Sequence, residues 1–194
     1  MIARLVCIFA LAVTAGVELD AQSRPVDRER STLTVFAYKS GLFSGFADDH
    51  EIRAPIASGS IVETGTLAVE IAVRSAALVV LDPKLSAAKR SEVQTRMVGP
   101  EVLDVSRFPD IAFVSTSIAS TGADRWMVNG RLTLHGETRP ATFAVTRQGG
   151  QYKGTVMLKQ SDFGIRPISI VGGTVKVKDE LKVEFAIVPE TTTR

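Results

Sequence analysis

From Val175 to Ile187 the chain alternates. Val175, Val177, Leu181, Val183, Phe185 and Ile187 share one parity, while Lys176, Lys178, Glu180, Lys182 and Glu184 share the other. An extended backbone sends successive side chains to opposite faces, so this segment predicts a strand with one apolar face and one in water. Asp179 interrupts the apolar parity and predicts a bulge or turn. The same period recurs upstream. Trp126, Val128, Gly130, Leu132 and Leu134 oppose Met127, Asn129, Arg131, Thr133 and His135. Ala141, Phe143 and Val145 follow the turn His135-Gly136-Glu137, and Tyr152, Val156 and Leu158 follow Gly149-Gly150. Leu67, Val69, Ile71 and Val73 form an earlier run, and Ile111-Ala112-Phe113-Val114 begins another after Phe108-Pro109. Leu33, Val35 and Ala37 alternate with Thr32, Thr34, Phe36 and Tyr38, a less one-sided pattern.

One segment departs from this period. Asp82-Pro83 reads as an N-cap with proline at the first helical position, Lys84 to Val98 is rich in helix formers, and Gly99-Pro100 stops it. The expected fold is all-β, seven to nine antiparallel strands in a sandwich or an up-and-down barrel, with one helix in a connection. A membrane barrel turns its apolar face to lipid. Here the polar parity carries closely spaced Lys and Glu, which suits solvent on that face. An eight-stranded barrel is either packed solid or holds one small ligand, and alternation alone leaves both readings open.

Met1-Ile2-Ala3-Arg4, the apolar run Leu5 to Val13 and the small residues after it have the form of a secretory signal peptide, expected over residues 1–21. The product is then periplasmic or secreted, with no stable membrane insertion after cleavage. Its single cysteine, Cys7, lies in that run, so cleavage leaves no thiol for a disulfide, a thiolate metal site or a nucleophile. Residues 22–30 (QSRPVDRER) read as a flexible leader. A formal net charge of +2, with no basic stripe interleaved with aromatics, argues against nucleic acid as a partner.

The two histidines carry little chemistry in this pattern. His50 beside Asp48, Asp49 and Glu51 offers an incomplete metal set, and His135 sits in a turn. Ser161, His135 and Asp162 make a triad on paper without a nucleophile elbow. No catalytic residue, metal or cofactor is expected.

Phe108-Pro109-Asp110-Ile111-Ala112-Phe113 with Ser115, then Val128-Asn129-Gly130-Arg131-Leu132-Thr133-Leu134-His135-Gly136-Glu137-Thr138, then Ser161-Asp162-Phe163-Gly164-Ile165, resemble in order and spacing the motifs of the YceI-like family. Asp82-Pro83 and Glu101 to Asp104 also fit. The resemblance implies a domain over residues 31–190: an extended, eight-stranded, lipocalin-like antiparallel barrel whose apolar pore holds a polyisoprenoid, quinone-like or other long-chain amphiphile. Such proteins are typically exported and often dimeric, which makes a homodimer a candidate state, and no catalytic residues are assigned to the fold. Arg30 and Ser40 stand where many members carry histidine, and Phe43 to His50 looks like a branch with its histidine placed later. The expected function is a non-enzymatic carrier or sequestering protein. The expected pore-lining residues are Leu33, Val35, Phe43, Phe46, Trp126, Leu132, Leu134, Phe143, Val156, Phe163 and Phe185. Phe43 and Phe46 would cover a pore mouth or plug the core. A solid-core structural or stress-response module acting through a protein partner is the alternative, and a small hydrolase or metal-dependent enzyme a more distant one.

Overall fold

A computed structural model describes residues 22–40, 49–170 and 175–191. The expected signal segment, Phe43 and Phe46 lie outside these residues. Among the described residues twelve strands form one curled sheet, with one α-helix beside it. In chain order they are β1 (Ser23–Pro25), β2 (Thr32–Ser40), β3 (His50–Arg53), β4 (Ile56–Val62), β5 (Ala68–Arg74), β6 (Val79–Val80), α1 (Ala87–Val98), β7 (Asp110–Gly122), β8 (Arg125–Leu134), β9 (Glu137–Gln148), β10 (Gln151–Lys159), β11 (Ser169–Ile170) and β12 (Val175–Ile187). The sheet order is β1-β4-β5-β7-β8-β9-β10-β12-β2-β3-β6, with β11 beside β12, and every pairing is antiparallel.

The sheet curls into a half-barrel. The chain itself joins the two margins: β3, beside β2, runs into β4, beside β5, through Ala54-Pro55. The twelve strands replace the eight expected. Proline has no N–H to donate, so the ladder breaks at Pro55 and one long strand becomes two. Three further strands, β1, β6 and β11, are only two or three residues long, below what alternation can reveal.

Residues 22–30 are no flexible leader. β1 pairs with β4 from Ser23↔Val62 to Pro25↔Ser60, Val26 bridges to Pro189, and Val26 is 2% exposed. Val26 packs with Ile56, Ile61 and Ile187, so one apolar side chain in a polar stretch anchors the segment. The helix is also shorter than expected. Ser86 caps it, its Oγ accepting from Lys89 N at 3.4 Å. Asp82 does not: its carboxylate accepts from Glu51 N at 2.7 Å and meets His50 Nδ1 at 2.6 Å. Gly99 closes the helix as the sequence indicated. The irregularity expected at Asp179 is a register shift between Val177 and Leu181. Asp179 there accepts from Ser161 N at 2.8 Å and from Ser161 Oγ at 2.6 Å.

The three motifs that carry the family resemblance meet at one end. His135 and Gly136 form the two-residue β8–β9 turn, with φ of 51° and 77°. Such a turn needs left-handed backbone at both positions. The Phe108 ring lies 4.2 Å from the His135 ring and covers Gly136, where a Cβ would come within 2.7 Å of it. His135 Nδ1 donates to Phe163 O at 3.1 Å. Phe163 and Ile165 are buried there with Met97, Leu103, Leu134 and Leu78, and together they form the packed base of the half-barrel.

Candidate ligand-binding cavity

Above that base the interior is hollow. The sheet and α1 enclose a cavity of about 660 Å³ walled almost wholly by aliphatic and aromatic side chains. Of the expected lining residues, Leu33, Val35, Trp126, Leu132, Leu134, Phe143, Val156 and Phe185 face it. Phe163 does not line it. At 3% exposure it belongs to the base, because its short 3₁₀ turn folds the ring beneath the strands. Much of the remaining wall comes from strands whose alternation was legible but whose residues were not singled out, among them Val69, Ile71, Ile118, Val145, Leu181 and Val183.

A band of rings crosses the wall. The Phe113 and Phe143 centroids are 5.2 Å apart, and those of Phe143 and Phe185 5.5 Å. These rings come from β7, β9 and β12, and the strands between carry inward glycines, Gly130 on β8 and Gly154 on β10. A Cβ on Gly130 would lie 2.3 Å from the Phe113 ring, and one on Gly154 2.5 Å from the Phe185 ring. Each ring therefore lies flat over a neighbour that has no side chain, which keeps the lumen open beside it. The signal was present in sequence as an inward glycine within each alternating strand.

The polar groups of the wall sit towards its two ends. At one end Tyr152 Oη donates to Glu63, which also pairs with Arg24 and lies 4.0 Å from Arg147. Burial alone would raise the Glu63 pKa. The hydrogen bonds from Tyr152 and Arg24 and the charges of Arg24 and Arg147 outweigh it and hold the carboxyl below its ordinary 4.5. Burial first, then the bond to Glu63, pushes Tyr152 up to about 12. The Trp126 and Tyr152 rings meet in a T-shaped pair, with centroids 5.7 Å apart. Of Arg24, Glu63, Arg147 and Tyr152 only Tyr152 stood out in sequence, since the four come from β1, the residue after β4, β9 and β10.

At the other end the wall includes Lys39, His50, Lys176 and, from α1, Lys89, Glu92 and Arg96. The paper triad is not assembled, because Ser161 bonds Asp179 while His135 bonds a backbone carbonyl. His50 pairs with Asp82, Asp49 accepts from Lys39 N at 2.9 Å, and Asp48 lies outside the described residues. Among the described residues no three His, Cys, Asp or Glu side chains converge as a metal set. No helix among them is long and apolar enough to cross a membrane.

A curled antiparallel sheet around an apolar cavity of ligand size defines a binding protein of the lipocalin-like kind. The chain belongs to the YceI-like family, whose domain profile matches residues 25–188. Among curated relatives it is 37% identical over 86 residues to a UPF0312 protein of Pseudomonas putida, covering 39% of this chain and 45% of that one. It is 34% identical over 116 residues to a UPF0312 protein of Pseudomonas fluorescens, covering 53% and 59%. The chain thus spans about half the length of the curated relatives it matches. Among solved structures it superposes on Burkholderia cenocepacia BcnA with a TM-score of 0.64 at 19% identity, covering 86% of this chain and 99% of that one. A mutant CJ YceI protein with a monobromobimane guest gives 0.52 at 11% identity, covering 96% and 91%. At these identities the likeness speaks for the fold.

Proposed function

We propose that the protein is an exported, non-enzymatic carrier or sequestering protein that seats the chain of a polyisoprenoid, quinone-like or other long-chain amphiphile in its cavity. The observation that carries this reading is the hollow interior: about 660 Å³ bounded by inward residues such as Leu33, Val35, Leu132 and Phe143, which are only half-buried. A chain filling it removes that apolar surface from water, at roughly 0.8 kcal/mol for each methylene buried. No precise polar grip is required along most of such a path, which accords with a mostly aliphatic and aromatic wall. The solid-core interaction module, by contrast, calls for a filled interior. Export to the periplasm or beyond is proposed from the form of residues 1–21, and a homodimer from the family likeness.

The test is native mass spectrometry of protein purified from a bacterial periplasm, followed by organic extraction of any released molecule. A stoichiometric isoprenoid or acyl compound supports the carrier reading, and the same spectrum reports the oligomeric state. A clean apo mass, together with failure to bind added prenyl and acyl chains, refutes it. Phe143→Asp places a charge on the lumen wall and is expected to abolish chain binding. Retained binding by the folded variant would remove Phe143 from the binding surface.

A further inference from the structure

Long ladders close much of the cavity wall, but β5 and β7 part early. They are paired only from Glu70↔Val114 to Arg74↔Asp110, whereas β7 stays with β8 as far as Gly122↔Arg125. From Thr116 to Gly122, β7 therefore has β8 on one side and, among the described residues, no paired strand on the other. The parting has a local cause. Ser115 Oγ accepts from Val69 N at 2.9 Å, so a side chain takes a donor that a continuing ladder would use. The register of β7 against β8 slips just after Ser115, and such a bulge bends its strand. A second slip, between Ser120 and Gly122, makes this edge a poor template for a further strand, so the gap is left as a slit.

The margins of the slit are apolar and belong to the cavity. Leu67, Ala68 and Val69 line the cavity from the β5 side, Ile118 and Trp126 from the β7–β8 side, and all five are only half-buried. The α1 side of the cavity differs. Lys89, Glu92 and Arg96 stand there. Gln94 fixes that helix, its Nε2 donating to Leu78 O and its Oε1 accepting from Val80 N, both at 2.8 Å. The β4–β5 hairpin, which carries one margin of the slit, is held at its turn through Glu63. That carboxylate accepts from Tyr152 Oη of β10 and from Arg24 of β1.

We infer that a chain enters and leaves the cavity sideways, through the slit between β5 and β7, with the bonds of Tyr152 and Arg24 to Glu63 acting as the latch on its β4–β5 margin. The inference rests on the proposed chain-binding function and adds the route. An apolar chain sliding between apolar margins trades water for hydrocarbon contact at each step, whereas passage beside α1 would strip water from charged groups. Widening the slit breaks no backbone ladder, since none spans it. It requires the β4–β5 turn to swing outwards, and the bonds to Glu63 resist that swing.

The test staples the slit in the folded protein. Thr66→Cys and Thr116→Cys, at exposed positions on its two sides, are introduced in a chain carrying Cys7→Ala, and a short bis-maleimide joins them after purification. Stopped-flow mixing with dansylated undecanoate, excited through the single tryptophan Trp126, gives both rates. Stapling is expected to slow association and dissociation together by about tenfold or more, with Kd little changed, because a portal governs rates and not the equilibrium. Capping the two cysteines separately with N-ethylmaleimide should leave both rates as they were. Glu63→Gln should raise both rates by about threefold. Stapled protein that exchanges the probe as fast as capped protein overturns the portal and leaves the chain-binding reading standing. Rates unmoved by Glu63→Gln overturn the latch. Failure of the probe to bind the unaltered protein removes the carrier reading, and the portal with it.

Discussion

Phe163 and Phe143 are both aromatic residues directed inwards, and the molecule uses them in opposite ways. Phe163 lies in the base at 3% exposure, wedged among Met97, Leu103, Leu134 and Ile165. Phe143 is half-buried, packed edgewise between Phe113 and Phe185 and otherwise facing the cavity. The base is built from the connections: the 3₁₀ turn over Gln160–Phe163, the β8–β9 turn, the helix and the segment after it. The middle is built from regular strands whose inward side chains do not meet across the lumen. Segments that most clearly mark the family therefore close and brace one end, while the ordinary alternating strands shape the space for a ligand.

The largest effect expected from this contrast is on stability. Phe163→Ala removes a ring packed on all sides and should cost about 3–5 kcal/mol in denaturant unfolding. Phe143→Ala should cost roughly half as much, because one side of that ring has no partner atoms to lose. Equal costs would mean that the middle is as solid as the base. The next effect tests how the lumen is kept open. Gly130→Val drives a side chain into Phe113 and brings a Cβ within 2.6 Å of Val114 O, a backbone atom that cannot swing away. A loss of about 3 kcal/mol is expected, with Phe113→Leu in the same chain recovering part of it. No change on Gly130→Val would show that the rings do not rest on the glycines. Smaller again is the anchoring of β1. Val26→Ala should cost about 2 kcal/mol, whereas a flexible leader would lose nothing measurable.

The alternating strands were legible because a period of two survives in sequence wherever one face is apolar and the other solvated. It named eight of the cavity residues, including those of β2, where Thr34, Phe36 and Tyr38 blurred the contrast. Phe163 was misplaced because Gln160–Phe163 forms a 3₁₀ turn where a strand end was expected. Asp82 reads as a helix cap by spacing alone. Its true partners, His50 and Glu51 N, arrive from a strand 31 and 32 residues earlier. β1 escaped notice because its register depends on one valine within QSRPVDRER and on Arg24 reaching Glu63 across the sheet. The cavity-wall residues on α1 escaped for a similar reason. Lys89 and Arg96 look like an ordinary solvated helix face until the helix is set against the open edge of the sheet.

The smallest expected effect concerns the end opposite the base, where Glu63 and Tyr152 meet on the cavity wall through their mutual hydrogen bond. Glu63 has a folded pKa below its ordinary 4.5, so its ionised form is favoured by folding. Its stabilisation is complete above that value and is lost as pH falls through the depressed folded value. Tyr152 moves the other way. With an ordinary pKa of 10.0 and a folded one of about 12, its contribution is intact below pH 10 and lost between the two values. Denaturation midpoints measured across pH should therefore show an acid limb that weakens in Glu63→Gln and an alkaline limb that weakens in Tyr152→Phe. Asp179 titrates in the same acid window, since the hydrogen bonds from Ser161 hold its pKa down. Asp179→Asn separates the two carboxylates: whatever acid sensitivity survives it belongs to the far end, where Glu63→Gln must remove it. An acid limb unchanged in Glu63→Gln but abolished by Asp179→Asn would place the pH-sensitive part of the fold at the Ser161 turn beside the base and leave the Tyr152 end silent.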